Sequence, residues 1–271
     1  MLNGITIGQY FPGDSLLHRL DPRVKLVLTF AYIIAVFIPR NWPGLLLAVA
    51  FLFLSVSLSR LPLRLIWKSV RPIIPLVIFT SIINIFYVSG EIHLLDWGFL
   101  HITLEGVVLA VFIAVRILCL IAGSSLLTYT TSPTTLTDAL ERLMSPLKAL
   151  HLNVHELAMM MTIALRFIPT LIEETDKIMS AQKARGADME SGGLMQRIRA
   201  LIPVLIPLFV SSFRRANELA MAMECRCYRG GEGRTRMNSL HMQGRDWASI
   251  AAMAALVAVT VAFNFFLPKA Y

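Results

Sequence analysis

The sequence predicts an all-α, polytopic membrane protein with about five transmembrane helices and a cytoplasmic domain of long amphipathic helices. Of its 271 residues, 56% are hydrophobic and only 15% are charged, whereas a soluble domain carries about 25% charged residues. The apolar residues also fall in long, nearly uncharged runs, and about 20 such residues are needed to cross a bilayer. A net charge of +8 is ordinary in such a protein, because Lys and Arg collect on the cytoplasmic side, so nucleic-acid binding is the weaker interpretation.

Five apolar runs are the predicted membrane spans, and four of them come before residue 128. The runs are Val24–Ile38, Gly44–Leu58, Pro72–Val88, Gly106–Leu127 and Trp247–Leu267. The connection 59–71 is basic, whereas residues 89–105 contain acidic side chains and no Lys or Arg. By the positive-inside rule the first connection is cytoplasmic and the second is external. The amino terminus is therefore predicted inside and the carboxyl end outside.

Residues 129–246 have a different pattern, with 15 of the 25 Lys and Arg residues and 12 of the 17 acidic ones. The apolar residues here follow the period of amphipathic helices, which we expect at about 134–150, 155–184 and 195–225. Two apolar stretches inside them are short, and the segment between these stretches carries five cations, which argues against translocation. We therefore expect these helices to lie along the inner face of the membrane. The predicted domains are 1–128 (membrane), 129–246 (cytoplasmic coupling) and 247–271 (the last span).

Two segments of this domain resemble each other, since each predicted helix ends in small residues that flank one Arg. The triplets are Ala184-Arg185-Gly186 and Cys225-Arg226-Cys227. A single Arg at a helix carboxyl end is unremarkable, because the helix dipole favours it by roughly 0.3–1 kcal/mol. Two near-copies suggest more, since Arg pairs well with carboxylates in a bidentate manner and small neighbours permit close approach. Our hypothesis is that two helix tips each insert an Arg into a groove on one of two soluble partners.

These triplets, together with the motifs near the amino terminus, resemble the transmembrane (T) subunit of energy-coupling factor transporters, the ABC-type importers of vitamins and trace metal ions. The Ala184-Arg185-Gly186 triplet matches the first coupling motif of that family, and Arg226 matches the central Arg of the second. Cys225 and Cys227 stand where the simplest form of the motif has Ala and Gly. The segments 8–15, 18–23 and 228–236 also resemble the family.

The resemblance implies a non-catalytic subunit of an ATP-driven complex in the bacterial plasma membrane. It implies two cytoplasmic ATP-binding subunits, which bind ATP and Mg²⁺ and receive Arg185 and Arg226, so that no cofactor is expected on this chain. It also implies a small membrane-embedded substrate-binding (S) subunit, tipped to release its cargo when the ATPases close. Membrane lipid is the remaining expected partner.

Three other interpretations remain open at this level. A stand-alone permease or channel should show inverted repeats and polar residues in broken spans, and an intramembrane enzyme should show a catalytic motif; neither is evident. A metal site at Cys225 and Cys227 is the weaker interpretation because no second pair lies at zinc-ligand spacing. His151 and His155 are one helical turn apart, and an ordinary polar helix face is favoured over a metal site there. Arg116 lies inside the fourth span, and we expect it near mid-membrane with an ion pair or a carbonyl contact rather than as a transport site.

Overall fold

A computed structural model of the chain describes residues 10–87, 93–97, 100–146, 153–187, 193–230 and 241–266. The helices are α1 (Pro22–Phe37), α2 (Trp42–Ser59), α3 (Leu63–Val70), α4 (Ile74–Tyr87), α5 (Leu104–Thr130), α6 (Pro133–Leu143), α7 (Val154–Ala184), α8 (Leu194–Cys225) and α9 (Gly244–Phe266). A 3₁₀ turn at Arg71–Ile73 joins α3 to α4, where Pro72 lacks the N–H that an α-helical turn requires. The predicted all-helical architecture is confirmed.

To the helices the structure adds one short antiparallel hairpin, β1 (His93–Trp97) and β2 (Leu100–Thr103). In the backbone register Trp97 is paired with Leu100 and Asp96 with His101. The hairpin lies in the segment predicted to be an external loop. Its strand β2 runs directly into α5, whose amino end is capped by the Thr103 hydroxyl, an acceptor for the Gly106 N–H at 3.3 Å.

Five helical segments of the described chain are long and apolar enough to cross a membrane, which agrees with the predicted number. They are Trp42–Ser59, Leu63–Tyr87, Leu104–Thr130, Val154–Ala184 and Gly244–Phe266. This set differs from the predicted spans in one helix: it contains α7 and lacks α1. The first predicted span is α1, whose 16 residues reach only about 24 Å against a hydrocarbon core of about 30 Å. The long helix α7 takes its place in the set by length and composition, and its predicted position along the inner face stays a prediction.

The chain divides into two compact units, one holding Gly8–Ala139 with Ser239–Tyr271 and the other holding Leu140–Asn238. The first, here called the membrane unit, contains α1 to α5, most of α6 and α9. The second, here called the helix pair, contains α7 and α8. The domain boundaries predicted after residues 128 and 246 divide the chain by function rather than by packing, and they stay a prediction.

The membrane unit has a core in which α1 and α2 pack on α5 and α9. Tyr32 is at its centre, and its hydroxyl donates to the Ala48 carbonyl at 3.3 Å. The ring reaches this place because Gly123 has no side chain: a Cβ there would lie 2.5 Å from a Tyr32 ring carbon. The core residues are Tyr32, Ala35, Val36, Ala48, Cys119, Met253 and Leu256.

The turn between α1 and α2 is held by side chains from distant parts of the chain. The Asn264 amide of α9 accepts from the Arg40 N–H at 3.0 Å and donates to the Ile38 carbonyl at 2.6 Å. Arg116 of α5 donates to the Pro39 carbonyl at 2.8 Å and lies over the rings of Phe37 and Phe112. The predicted carbonyl contact of Arg116 is therefore confirmed. Arg116 is thus level with the turn that ends α1, and its position near mid-membrane stays a prediction.

At its other end α1 is joined to the start of α9 by a buried carboxylate. Asp246, 1% exposed, accepts from the backbone N–H of Asp21 at 2.9 Å and of Gln243 at 2.7 Å. Nearby, the Lys25 ammonium donates to the carbonyls of His18 and Thr130, both at 3.0 Å. These contacts tie the amino-terminal segment, α5 and α9 together around the first turn of α1.

Candidate functional site

The two helices that carry the predicted coupling triplets form an antiparallel pair. Gln182 of α7 donates to the Pro203 carbonyl of α8 at 3.2 Å, and near the other end the Tyr228 hydroxyl lies 3.1 Å from the Met159 sulfur. The residue number falls along α7 as it rises along α8, so their carboxyl ends lie at opposite ends of the pair. At 1.5 Å per residue, Arg185 and Arg226 are separated by about 40 Å along its length.

The first triplet closes α7 in a Schellman motif. Arg185 is the C-cap, and Gly186 follows in the left-handed conformation with φ of 84°. The Gly186 N–H donates to the Lys183 carbonyl and the Ala187 N–H donates to the Gln182 carbonyl, both at 3.0 Å. This pair of bonds defines the motif, and glycine adopts its left-handed position without steric cost.

The second triplet closes α8 in the same motif. Arg226 is the C-cap, and Cys227 occupies the left-handed position with φ of 55°. The Cys227 N–H donates to the Glu224 carbonyl at 2.8 Å, and the Tyr228 N–H donates to the Met223 carbonyl at 3.0 Å. A residue with a Cβ is unfavourable here by roughly 1–2 kcal/mol. The second triplet therefore reproduces the backbone of the first at a conformational cost that the first avoids.

Both Arg side chains extend from these ends without a partner in the described part of the chain. Arg185 and Arg226 are exposed, and neither has a salt bridge with a described residue. Ala184 and Cys225 precede them and are also exposed. The geometry thus gives two exposed guanidinium groups at the two ends of one helix pair.

The cysteines of the second triplet are exposed free thiols. Among the residues that the structure describes, no three His, Cys, Asp or Glu side chains are grouped to hold a metal ion. The alternative pair, His151 and His155, is only half inside the described residues. His155 forms a hydrogen bond with Glu141, its Nδ1 lying 2.9 Å from the carboxylate, which is the ordinary polar contact expected for this helix face.

Sequence reasoning missed a polar contact near the middle of the pair. Glu174 of α7 accepts from Arg215 of α8 at 2.9 Å and from the Ser211 hydroxyl. The order of the residues gave a weak signal, since Ser211 and Arg215 are one helical turn apart and so share a face. The two long helices are therefore joined by charge-assisted bonds as well as by apolar contacts.

The Gln182 contact has its origin in the prolines of α8. Pro207 has no N–H, so the carbonyl four residues earlier, that of Pro203, has no helical donor. The Gln182 amide of α7 supplies a donor to this carbonyl at 3.2 Å. Gln182 lies in the last turn of α7 beside the first triplet, and the contact therefore links the Arg185 tip to the interior of α8.

The chain as a whole matches the CbiQ family, which is described as cobalt transport protein, over residues 13–237. This match covers most of the membrane unit and the whole helix pair, so the protein belongs to the CbiQ family of transporter membrane proteins.

Closely similar relatives carry one more specific description, "energy-coupling factor transporter transmembrane protein". The relative from Clostridium kluyveri is 53% identical over 262 residues, covering 96% of both chains. That from Ruminiclostridium cellulolyticum is 55% identical over 246 residues, covering 91% of this chain and 92% of the relative. That from Bacillus subtilis is 47% identical over 259 residues, with 96% and 98% covered. The resemblance stated from the motifs is confirmed, and the energy-coupling transmembrane component is favoured over the stand-alone permease.

Proposed function

We propose that this chain transmits the ATP-driven motion of two cytoplasmic ATP-binding subunits to a membrane-embedded substrate-binding subunit. One observation carries the proposal: two helix ends closed by the same motif each present an exposed Arg, and they lie at opposite ends of one antiparallel pair. A dimer of ATPases offers two equivalent clefts, and Arg suits a carboxylate in such a cleft better than Lys because it can bind in a bidentate manner.

The coupling residues in this proposal are the two triplets, with a distinct role for each position. Arg185 and Arg226 enter the clefts of the two ATPases. Ala184 and Cys225 are small enough to let the cleft walls approach the last turn. Gly186 and Cys227 adopt the left-handed conformation, which ends each helix directly after its Arg and leaves the guanidinium group at the tip.

Motion of one tip reaches the other because hydrogen bonds and a salt bridge join the two helices. A helix resists bending over the length of α7 or α8, and the contacts of Gln182 and Glu174 oppose sliding between them. Closure of the ATPases therefore moves the two helices as one body. The large exposed apolar side chains of α8, for example Ile202, Phe209 and Phe213, provide the surface on which the substrate-binding subunit rests.

The remaining roles belong to the partners. ATP and Mg²⁺ bind the ATPase subunits, and the cargo, a vitamin or similar micronutrient, binds the substrate-binding subunit, so this chain has no catalytic residue or cofactor of its own. The protein functions in the bacterial plasma membrane with its amino terminus in the cytoplasm. Loop charge supports this orientation, since residues 59–71 are basic and 89–105 lack Lys and Arg.

The proposal is tested by reversing the charge at both tips. With Arg185→Glu and Arg226→Glu together, we expect the ATPase subunits no longer to co-purify with the chain and uptake to be abolished. Each single change should retain part of the uptake, because the other tip still docks. Uptake at the wild-type level in the double variant would refute the mechanism.

A matched control separates the tips from general loss of positive charge. Arg166 of α7 and Arg214 of α8 are exposed and lie in the middle part of the pair, not level with either C-cap. Changing both to Glu alters the net charge by the same amount, and co-purification of the ATPases should continue. Loss of the ATPases in this control as well would mean that bulk electrostatic attraction, rather than two placed side chains, holds the complex together.

A further inference from the structure

The connection between α2 and α4 carries a concentration of positive charge that energy coupling does not use. Arg60, Arg64, Lys68 and Arg71 are all exposed, and none forms a salt bridge with a described residue. The sequence contains no Asp or Glu between Asp21 and Glu91. The local charge is therefore not neutralised within this part of the chain.

The short helix α3 gathers these cations on one face. Arg64, Lys68 and Arg71 follow at intervals of four and three residues, which places them on one side of a helix, and Arg60 precedes them in the turn. The opposite face is buried: Val70 is 8% exposed. We call the side formed by these four cations the basic face of α3.

The buried side is attached to the membrane unit by Tyr129 of α5. The Tyr129 hydroxyl donates to the Leu65 carbonyl at 3.1 Å and lies 2.6 Å from the Ser69 hydroxyl. Leu61 joins Tyr129 and Leu126 in a buried apolar cluster. These contacts fix the rotation of α3 about its axis, and the basic face must therefore point outward.

Beside the basic face are two large apolar side chains that nothing in the described chain covers. Leu63 and Trp67 are 67% and 60% exposed, and their spacing of four residues places them along one edge of the cations. Trp is enriched at the membrane–water boundary, where its ring is half in hydrocarbon and its N–H is in water. An exposed Trp and Leu beside four cations have the character of an interfacial amphipathic helix.

The position of α3 in the chain places this surface at the boundary of the bilayer. Trp42–Ser59 and Leu63–Tyr87 are consecutive segments suited to spanning a membrane. Arg60 lies between them and the other three cations lie in the first nine residues of the second, so the basic face is where the two segments meet, at the level of the lipid headgroups. A soluble acidic protein would meet the cations but would leave the apolar edge unexplained.

We propose that the basic face of α3 binds the headgroups of anionic phospholipids, with Leu63 and Trp67 inserted at the boundary of the acyl chains. The guanidinium groups of Arg64 and Arg71 pair with lipid phosphate, and Lys68 adds a point charge. The attraction between one such cation and anionic headgroups is strong enough to raise the local proportion of anionic lipid several-fold. The surface anchors the end of α5 through Tyr129 and so holds the membrane unit against its own leaflet.

Quenching of Trp67 fluorescence by brominated lipid tests this proposal directly. The chain contains four Trp residues, and a variant with Trp42, Trp97 and Trp247 changed to Phe leaves Trp67 as the only one. In bilayers of fixed phosphatidylglycerol and phosphatidylcholine content, the bromine is placed on one lipid and then on the other. We expect phosphatidylglycerol to be enriched around Trp67 by about fivefold. Equal quenching by the two lipids would overturn the proposal.

Charge variants in the same background identify the cause. Arg64→Gln, Lys68→Gln and Arg71→Gln together should reduce the enrichment to near one, whereas Arg64→Lys with Arg71→Lys should keep most of it. Removal of three exposed arginines from the helix pair, Arg199, Arg214 and Arg229, changes the net charge equally and should leave the enrichment unchanged. An enrichment unaffected by the α3 triple variant, or lost in the control, would contradict the assignment, as would loss of a protein partner from the triple variant with the lipid ratio intact.

Discussion

The membrane unit and the helix pair are both built from long apolar helices, but they bury them very differently. In α5, ten of 27 residues are buried, from Gly106 to Thr130. In the 32-residue helix α8, Val204 is the only buried hydrophobic residue among those that the structure describes. The membrane unit has a core of its own, whereas the apolar side chains of the helix pair must find partners elsewhere, in lipid or in other subunits.

The polar contacts of the two regions differ in the same way. In the membrane unit the contacts between Asp21 and Asp246 and between Lys25 and Thr130 are buried, and they join residues 225 and 105 positions apart. In the helix pair the contacts are partly exposed and join facing helices, as between Glu174 and Arg215. A buried contact contributes to the stability of a fold, whereas a partly exposed one contributes little to it. The first region is suited to be a fixed scaffold and the second to be a moving part.

The largest effect that separates the two regions should come from Asp246. Asp246→Ala removes an acceptor that is 1% exposed and leaves the N–H groups of Asp21 and Gln243 without their partner. Unsatisfied buried donors cost about 1–3 kcal/mol each, so the free energy of unfolding should fall by about 3 kcal/mol. A lower melting temperature of the purified protein, followed by differential scanning fluorimetry, measures this.

Two controls accompany this variant. Asp246→Asn keeps one carbonyl oxygen as an acceptor and should show an intermediate loss. Glu173→Ala removes an exposed carboxylate from the helix pair and should leave the melting temperature within the range of ordinary surface changes. If Asp246→Ala melted like Glu173→Ala, the membrane unit would not depend on its buried contacts, and the contrast between the regions would fail.

The Asp246 contact also marks the limit of what the sequence could predict. The helices at 155–184 and 195–225 were predicted to within one residue of α7 and α8, because both have amphipathic periodicity and clear stop signals. The repeated triplets identified the two ends. A contact between residues 225 positions apart leaves no periodic signal, and the hairpin β1–β2 is too short to show one. The left-handed conformation of Cys227 also runs against its residue type, so only the backbone could reveal that it matches Gly186.

An intermediate effect should come from Glu174, and it should appear in transport rather than in stability. Glu174→Gln removes the charge that holds Arg215 and weakens the bond from Ser211. Arg215 is more than a third exposed, so the loss of stability should be about 1 kcal/mol or less. Because the contact resists sliding of α7 against α8, uptake should fall several-fold while ATPase co-purification and the melting temperature change little.

Glu173 again supplies the matched control, since it is adjacent, exposed and has the same charge. Glu173→Gln should transport like the wild type. A restored pair, Glu174→Arg with Arg215→Glu, should recover part of the uptake if the contact itself matters. Equal uptake in Glu174→Gln and Glu173→Gln would show that the two helices do not need this link to move together.

The smallest effects should separate the two tips of the helix pair. Gly186 has φ of 84° and no atom within 4 Å of where a Cβ would be, so Gly186→Ala costs only backbone strain, roughly 1–2 kcal/mol. Cys227→Gly removes the corresponding strain at the other tip, against a backbone entropy loss of about 0.5–1 kcal/mol. Amide hydrogen exchange measures both, at the Ala187 and Tyr228 N–H groups that close the two motifs.

We expect exchange at Ala187 to become faster by about tenfold in Gly186→Ala, and exchange at Tyr228 to become at most a few-fold slower in Cys227→Gly. Cys227→Ala keeps the Cβ and should leave the strain in place, which separates the backbone from the thiol. If both Cys227 variants docked the ATPases as the wild type does, the thiol would have no part in docking, and the second triplet would act as a strained copy of the first. If Cys227→Gly weakened docking while it slowed exchange, the strained end would itself be part of the fit between this tip and its cleft.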